Sequence, residues 1–247
     1  MFPNKTAILS GGAAIPFTNN YSLSFDGTDD EVSCGTSTSL EPVNVSVSVW
    51  VYLQVETGIK YIISKNYSGG QSAYALLTHT DGDDHFRFYV TTAGGVKTSP
   101  TTSLMSGQSD TWNHWVGTYD GDFVRIYKNG SEIGSGTDTS EAGNITYASS
   151  ETFSIGHFRD SLHANVIIDE VGVFDTAISA ADVTAIYNSG APTDLTDSGS
   201  YDTDRTGNLI GYWRFEEGTG TSVADSSSNS NTGTLANSPT WSTTVPG

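Results

Sequence analysis

The chain has 247 residues, with 10 Lys and Arg against 28 Asp and Glu, and its formal net charge is -18. A protein that binds nucleic acid or an anionic membrane needs a basic face to neutralise phosphates, so this composition argues against both partners. The single cysteine, Cys34, excludes an intrachain disulfide and a zinc site built from several cysteines. Aromatic residues make up 11% of the chain, which is enough for a hydrophobic core, so we expect a folded protein.

The N-terminal residues do not form an export signal. The apolar run Ala7–Leu9 is too short, since a signal peptide needs a cationic start and about 7–15 apolar residues. No segment approaches the ~20 apolar residues of a transmembrane helix. We therefore expect a soluble protein, which would act outside a cell only after lysis or export by a dedicated route.

The first strong structural pattern is an alternation of apolar and polar residues along Val43–Leu53. Valines at every second position fall on one face, while the other face begins polar and becomes aromatic at Trp50. β-branched residues at this spacing predict a strand. Further strands are predicted at Tyr74–Leu77, Phe86–Val90, Trp115–Tyr119 and Phe123–Tyr127.

Short turns separate these strands. Asp81-Gly82 lies between two of them, and Asn129-Gly130 suits a type I′ hairpin, in which both central residues have positive φ. Many short strands with Gly and Asn/Asp turns, and no alternating helices, predict an all-β fold. The expected architecture is an antiparallel β-sandwich or jelly roll.

One short helix is predicted near residues 179–188. Ser179 suits the N-cap, and Asp182 favours the positive end of the helix dipole. The apolar face that would lie on the sandwich consists of Val183, Ile186 and Tyr187. Gly190 can end the helix, and residues 193–207 are predicted to form a polar linker.

Five sequence landmarks follow one another in the first three quarters of the chain. They are, in order, Leu23–Val32, Val45–Val51, Thr111–Gly121, Ile126–Gly130 and Ile168–Phe174. Together they resemble a laminin-G-like module of the concanavalin A-like lectin/glucanase superfamily, of the kind also found in phage virion proteins. The resemblance implies two antiparallel sheets packed face to face. The module would span residues 21–192, after an N-terminal lead segment of residues 1–20.

The C-terminal segment, residues 208–247, resembles the front strand of such a module, although here it comes last. Three alternatives remain open for it. It completes its own sandwich as a permuted strand, it donates a strand to a neighbouring subunit of a homo-oligomer, or it forms a small separate appendage. Its aromatic residues Trp213, Phe215 and Trp241 favour burial in any of these arrangements.

The resemblance also implies a structural Ca²⁺ site. Its ligands would be Asp26, the carbonyl of Gly27, Asp29 and Asp169, since the late strand of similar modules lies beside the early turn. Carboxylate and carbonyl oxygens are the ligands that Ca²⁺ prefers. In the alternative interpretation, Asp26 and Asp29 only form the turn and Asp169 accepts hydrogen bonds from backbone amides.

Catalysis is not predicted. A retaining glycoside hydrolase of this superfamily needs two carboxyl groups on the same face of one strand. Asp169 and Glu170 are adjacent and would point to opposite faces of a regular strand, while Ile167 and Val171 occupy the positions where glutamates are needed. The five histidines show no H-E-x-x-H pattern either.

Carbohydrate binding is the remaining hypothesis for a site. Sugars are held by aromatic rings and planar polar side chains, and the loops offer Tyr67, His85, Tyr147, His157 and Arg159. We therefore expect a non-catalytic, lectin-like module that binds a glycan or a protein surface, either as an extracellular protein or on a phage virion. The alternative is a structural or decoration protein that contacts other virion proteins and binds no glycan.

Overall fold

The computed structural model describes residues 17–54, 58–67, 71–79, 85–100, 109–134, 136–138, 143–148, 151–158 and 162–247. The strands in chain order are β1 (Ser22–Asp26), β2 (Glu31–Ser33), β3 (Val45–Leu53), β4 (Lys60–Tyr67), β5 (Gln71–His79), β6 (His85–Thr92), β7 (Gly95–Thr98), β8 (Trp112–Tyr119), β9 (Phe123–Lys128), β10 (Ser131–Glu132), β11 (Thr137–Asp138), β12 (Phe153–Ile155), β13 (Asn165–Phe174), β14 (Leu209–Trp213), β15 (Ser222–Val223), β16 (Gly233–Ala236) and β17 (Thr240–Ser242). The α-helix α1 spans Ala180–Tyr187. No helix among the described residues is long and apolar enough to cross a bilayer.

The strands form two antiparallel sheets. Sheet A, with nine strands among the described residues, runs β10-β9-β8-β3-β13-β1-β17, with β11 beside β9 and β14 beside β13. Sheet B, with eight, runs β15-β16-β2-β12-β4-β5-β6-β7. One core cluster draws buried side chains from both sheets. The predicted antiparallel sandwich is therefore confirmed.

Strand β3 shows how the alternating pattern produces this arrangement. Its valines at every second position are buried in the core between the sheets, with Val45, Val47 and Val49 all at 0% exposure. Burial of one such side chain contributes roughly 1.5–3 kcal/mol. The opposite face is also covered, because Trp50 stacks on Tyr187 of α1 with ring centroids 5.8 Å apart. The predicted strand is thus confirmed and lies in the middle of sheet A.

Helix α1 lies within the predicted range of residues 179–188, with Ser179 and Asn188 as its caps. The Ser179 hydroxyl accepts a hydrogen bond from the Asp182 amide, and the Asp182 carboxylate accepts one from the Ser179 amide, which is a complete capping box. The helix ends at Asn188, which is left-handed with φ 46°, rather than at Gly190. Asparagine tolerates this conformation because its short side chain bonds locally.

Residues 193–207, predicted as a polar linker, pack against α1. Leu195 and Tyr201 are buried in the cluster that joins the helix to sheet A. The buried Asp182 carboxylate accepts hydrogen bonds from the Thr203 amide and from Arg205 Nε, both at 2.8 Å. These contacts make the segment part of the cover over the outer face of sheet A.

Strands of the C-terminal segment pair with both sheets of the same chain. β14 pairs with β13, β16 pairs with β2, and β17 pairs with β1. Trp213 and Phe215 are fully buried in the core, where the Trp213 ring stacks on Phe153 at 5.2 Å. The segment therefore contributes strands to both sheets of the same chain.

A β-bulge interrupts β13. Asp169 lies opposite Trp50 of β3 and Gly172 lies opposite Ser48, so one extra residue is accommodated between them. Glu170 takes the extra position with a left-handed φ of 50°. The bulge turns both Asp169 and Glu170 towards the outer face of sheet A, so the prediction that they point to opposite faces is wrong.

Candidate functional site

Three aspartates gather at the turn between β1 and β2. The carboxylate oxygens of Asp26, Asp29 and Asp30 lie within 4.8 Å of one another. The Asp26 carboxylate accepts a hydrogen bond from the Thr28 amide, and the Asp30 carboxylate accepts one from the Asp26 amide. Gly27 has φ 77°, and a Cβ there would lie only 2.9 Å from Asn165 Cβ, so the turn requires glycine.

Asp169 does not join this turn, so its prediction as a ligand beside Asp26 is wrong. Asp26 pairs with Asn165 at the start of β13, and Asp169 lies four residues further along that strand. At about 3.3 Å per residue this separation is roughly 13 Å. Asp30 occupies the position in the carboxylate group that the sequence interpretation gave to Asp169.

Asp169 instead belongs to a buried carboxyl cluster with Glu170, Tyr212 and Arg214. Asn19 Nδ2 donates to Asp169 at 2.9 Å, while the Tyr212 hydroxyl and Arg214 Nε donate to Glu170. Burial and the adjacent Glu170 carboxyl raise the pKa of Asp169 well above its usual range. Burial raises the pKa of Glu170 to about 8, although its bonds to Tyr212 and Arg214 act in the opposite direction.

The outer face of sheet B, hereafter the B face, has a polar half. It is centred on Glu31, whose carboxylate accepts a hydrogen bond from the Ser154 hydroxyl at 2.8 Å and lies 3.2 Å from His157 Nδ1. The Ser64 hydroxyl donates to the His157 carbonyl and fixes the backbone beneath the ring. The bond to His157 lowers the pKa of Glu31, so this carboxylate is charged at neutral pH. The other side of the His157 ring stacks on His163 at 4.5 Å.

The other half of the B face is aromatic. Tyr61 of β4 stacks on Phe158 with ring centroids 4.3 Å apart, and its hydroxyl lies 3.0 Å from that of Tyr89 on β6. Leu77 of β5 completes the cluster. The loop that carries His157 and Phe158 is held at its base, because the Ala164 amide donates to the Gly156 carbonyl. These rings are themselves nearly buried, and the partly buried Ile59 and Leu162 pack against them beside the fixed hydrogen-bonding groups.

The predicted ligand-binding residues divide between two places. His85 begins β6 and shares the outer face of sheet B with His157, since the next residue, Phe86, lies in the core. Tyr147 lies elsewhere, because its ring packs on Tyr74 of the core and its hydroxyl donates to the Pro42 carbonyl. Its prediction as a loop residue of the same site is therefore wrong.

The remaining predicted residues, Arg159 and the side chain of Tyr67, lie outside the described part of the chain. The sequence interpretation missed Glu31, Tyr61 and Tyr89. Each is one residue of a short strand, and only the pairing between strands brings them together.

Sequence and fold comparisons agree with this architecture. A laminin-G-type family profile described as the concanavalin A-like lectin/glucanases superfamily matches residues 26–184, which is more than half of the chain. No curated protein matches the sequence. A solved structure with a similar fold is a protein from Bacteroides ovatus assigned to carbohydrate binding, with a TM-score of 0.63 and 16% identity. The alignment covers 94% of this chain and 62% of that one, so the chain spans less than two thirds of the Bacteroides protein.

A second similar structure is the native heptameric SAP-like pentraxin from Limulus polyphemus. Its TM-score is 0.53 and its identity is 18%, over 68% of this chain and 82% of that one. At these identities the two likenesses concern the fold alone. Together with the matched family profile, the sandwich shows that the chain belongs to the concanavalin A-like lectin/glucanases superfamily.

Proposed function

We propose that the chain is a non-catalytic, lectin-like module that binds carbohydrate on the B face. The observation that carries the proposal is the contact between Glu31 and His157 beside the aromatic cluster of Tyr61 and Phe158. A sugar has C–H faces that pack on hydrophobic rings and hydroxyls that need charged or planar partners. On the B face, Glu31 and His157 supply the polar partners, and the partly buried Ile59 and Leu162, which pack on the aromatic cluster, supply the apolar contact.

The accessible groups on this face suit hydroxyl recognition. The Glu31 side chain is 20% exposed and the His157 side chain is 14% exposed, so both reach solvent while their orientation stays fixed. A charged carboxylate can accept hydrogen bonds from sugar hydroxyls at roughly twice the strength of a neutral acceptor. Since the pair is already oriented, little side-chain entropy is lost when a ligand binds.

A hydrolytic function is less well supported. Asp169 and Glu170 now lie on the same face of β13, but their exposures are 0% and 2%. Both carboxyl groups are engaged by groups of the same chain, and Arg214 and Tyr212 lie directly against Glu170. A catalytic acid and nucleophile must reach the glycosidic oxygen and carbon, which these buried groups do not.

A glycan array followed by isothermal titration calorimetry tests the proposal. Glu31→Gln and His157→Ala should each weaken binding of an array-identified glycan by about 10- to 100-fold, since a hydrogen bond to a charged group contributes roughly 1.5–3 kcal/mol. Asp202→Asn, an exposed acidic residue in the segment that covers sheet A, is the matched control and should bind as wild type. Unchanged affinity in both B-face variants, or an array without any binding, would refute the proposal.

We further propose that Asp26, Asp29 and Asp30 hold a structural Ca²⁺ ion. Their converging carboxylates are the hard oxygen ligands that Ca²⁺ prefers, and none of them forms an ion pair with a Lys or Arg among the described residues. Burial, followed by the charges of Asp26 and Asp29, raises the pKa of Asp30. A cation would neutralise this repulsion and tie the β1–β2 turn together.

A further inference from the structure

A solvent-open cleft of about 320 Å³ lies on sheet A, on the opposite side of the sandwich from the B face. Its size falls in the range of roughly 300–1,000 Å³ that is typical of small-molecule sites. The lining residues come from β8 to β10 and from the segment that leads into α1: Thr118, Asp120, Arg125, Tyr127, Glu132, Ala177, Ile178, Ser179 and Ala180.

Arg125 is fixed at the centre of this cleft. Its Nη1 donates to Asp120 Oδ2 at 2.7 Å, and its Nε lies 3.5 Å from Glu132 Oε1. The guanidinium also lies 4.5 Å from the centroid of the Phe123 ring. Gly136 packs against the side-chain stem, where a Cβ would lie only 2.9 Å from Arg125 Cγ. The guanidinium is therefore oriented before any ligand arrives, which reduces the entropic cost of binding.

The groups around Arg125 keep part of their hydrogen-bonding capacity. Within the described part of the chain, Arg125 Nη2 has no hydrogen-bond acceptor, and its side chain is 24% exposed. Glu132 is 29% exposed and lies only at the long distance of 3.5 Å from Arg125. Burial would raise the pKa of Asp120, but hydrogen bonds from Arg125 and from the Phe123 amide lower it, so this carboxylate is charged. The cleft thus offers a planar donor between two acceptors.

The charge arrangement selects the class of ligand. An anion would be repelled by the carboxylates of Asp120 and Glu132. A cation would be excluded because Arg125 already occupies the space between them. A neutral molecule with several hydroxyls can accept a hydrogen bond from Arg125 Nη2 and donate to Glu132. In the segment that leads into α1, Ala177 and Ala180 provide apolar groups for its C–H bonds.

We infer that this cleft is a second binding site, separate from the B face, for a neutral sugar ring or cyclic polyol. The inference rests on the cleft itself and does not require the B face to bind carbohydrate. If both sites bind, the module carries sugar sites on opposite sheets and can bridge two glycan chains.

Nuclear magnetic resonance titration of the full chain tests this inference. The neutral probes are the methyl α-glycosides of glucose, galactose and mannose, together with myo-inositol; the charged comparators are glucuronate and glucosamine. We expect a neutral probe to shift the Arg125 Nε–Hε signal and the amide of Glu132 more strongly than either charged comparator. No shift with any neutral probe, or stronger binding of a charged comparator, would overturn the inference.

Variants connect the signal to this cleft. Arg125→Lys keeps the charge but loses the planar fork, and it should weaken binding about tenfold or more, as judged from the amide shifts. Glu132→Gln, at an exposed position, provides a second variant if the first does not fold. Glu217→Gln, an exposed position outside both candidate sites, should leave these shifts unchanged. Wild-type affinity in the folded cleft variants, or loss of the shifts in Glu217→Gln, would contradict the assignment.

Discussion

Raising the pH from about 5 to about 9 should lower the free energy of unfolding, because the buried carboxyl cluster must then lose a proton. The ordinary pKa of a glutamate is 4.5, and burial raises that of Glu170 to about 8. The folded state therefore keeps a proton that the unfolded state releases. This contribution to stability is fully present below pH 4.5 and is lost as the pH rises through about 8.

The size of the loss in unfolding free energy follows from these two pKa values of Glu170. Each pH unit between them corresponds to about 1.4 kcal/mol, so the loss reaches about 5 kcal/mol once Glu170 is ionised in both states. Asp169 acts in the same direction, since burial and Glu170 also raise its pKa. The other groups that face Glu170 are Tyr212, Arg214 and Glu216, and movement of Arg214 would reduce the loss. The figure is therefore an upper limit for Glu170 alone, and it is comparable to the whole stability of many domains.

Urea denaturation at a series of pH values measures this effect. The wild type should lose stability as the pH rises towards about 8 and level off above it, whereas Glu170→Gln, which cannot ionise, should show a flatter profile. Glu217→Gln removes an exposed carboxylate and should keep the wild-type profile. A wild-type stability that does not change between pH 5 and 9, or the same slope in Glu170→Gln, would refute the reasoning.

The remaining predictions concern the metal, the core and the acid side of the stability profile. EDTA should lower the Tm of the wild type, and added Ca²⁺ should restore it. The Tm of Asp30→Asn should respond to neither. A wild-type melting curve that EDTA does not change would contradict the Ca²⁺ proposal. Trp213→Ala should lower the free energy of unfolding in urea by about 3–5 kcal/mol, since removal of a fully buried ring leaves a cavity. A decrease below about 1 kcal/mol would mean that the C-terminal segment does not pack in the core. Burial lowers the pKa of His114 to about 3, so its neutral ring contributes stability that is lost as the pH falls from 6.5 towards 3, in opposition to Glu170. The stability of His114→Gln should therefore fall less steeply on the acid side. An identical acid slope in His114→Gln would argue against a neutral, buried ring.

The sequence alone predicts those parts of the fold in which a local pattern matches the environment. In β3 the alternation of Val45, Val47 and Val49 coincides with burial in the core, and the Ser179 capping box marks the start of α1. Both depend on residues within a few positions of one another. Periodicity and capping therefore locate these elements without knowledge of the tertiary structure.

The bulge in β13 shows why a local pattern can mislead. Asp169 and Glu170 are adjacent, so a regular strand would place them on opposite faces, and no turn residue marks the irregularity. The register shift against β3 lies where the partner on the other edge of β13 changes from β1 to β14. Since β14 comes much later in the chain, the sequence near Glu170 carries no sign of this partner.

The candidate sites were only partly predictable for the same reason. His157 was identified as a planar polar side chain on a loop, but its contact with Glu31 depends on β12 lying beside β2. In the cleft on sheet A, Arg125 and Glu132 come from neighbouring strands. Further lining residues, 177–180, belong to the segment that leads into α1. The residue types were visible in the sequence, whereas their convergence is a property of the topology.

The pairing of β1 with β17 has a kinetic consequence. The Ser22 hydroxyl donates to the Thr244 carbonyl across 222 residues of sequence, and Leu23 lies opposite Trp241. Contacts between such distant positions slow folding, so we expect this sandwich to refold in about milliseconds to seconds. During synthesis β1 exposes an unpaired strand edge until the last strand emerges, and that interval is when the chain is most prone to aggregate.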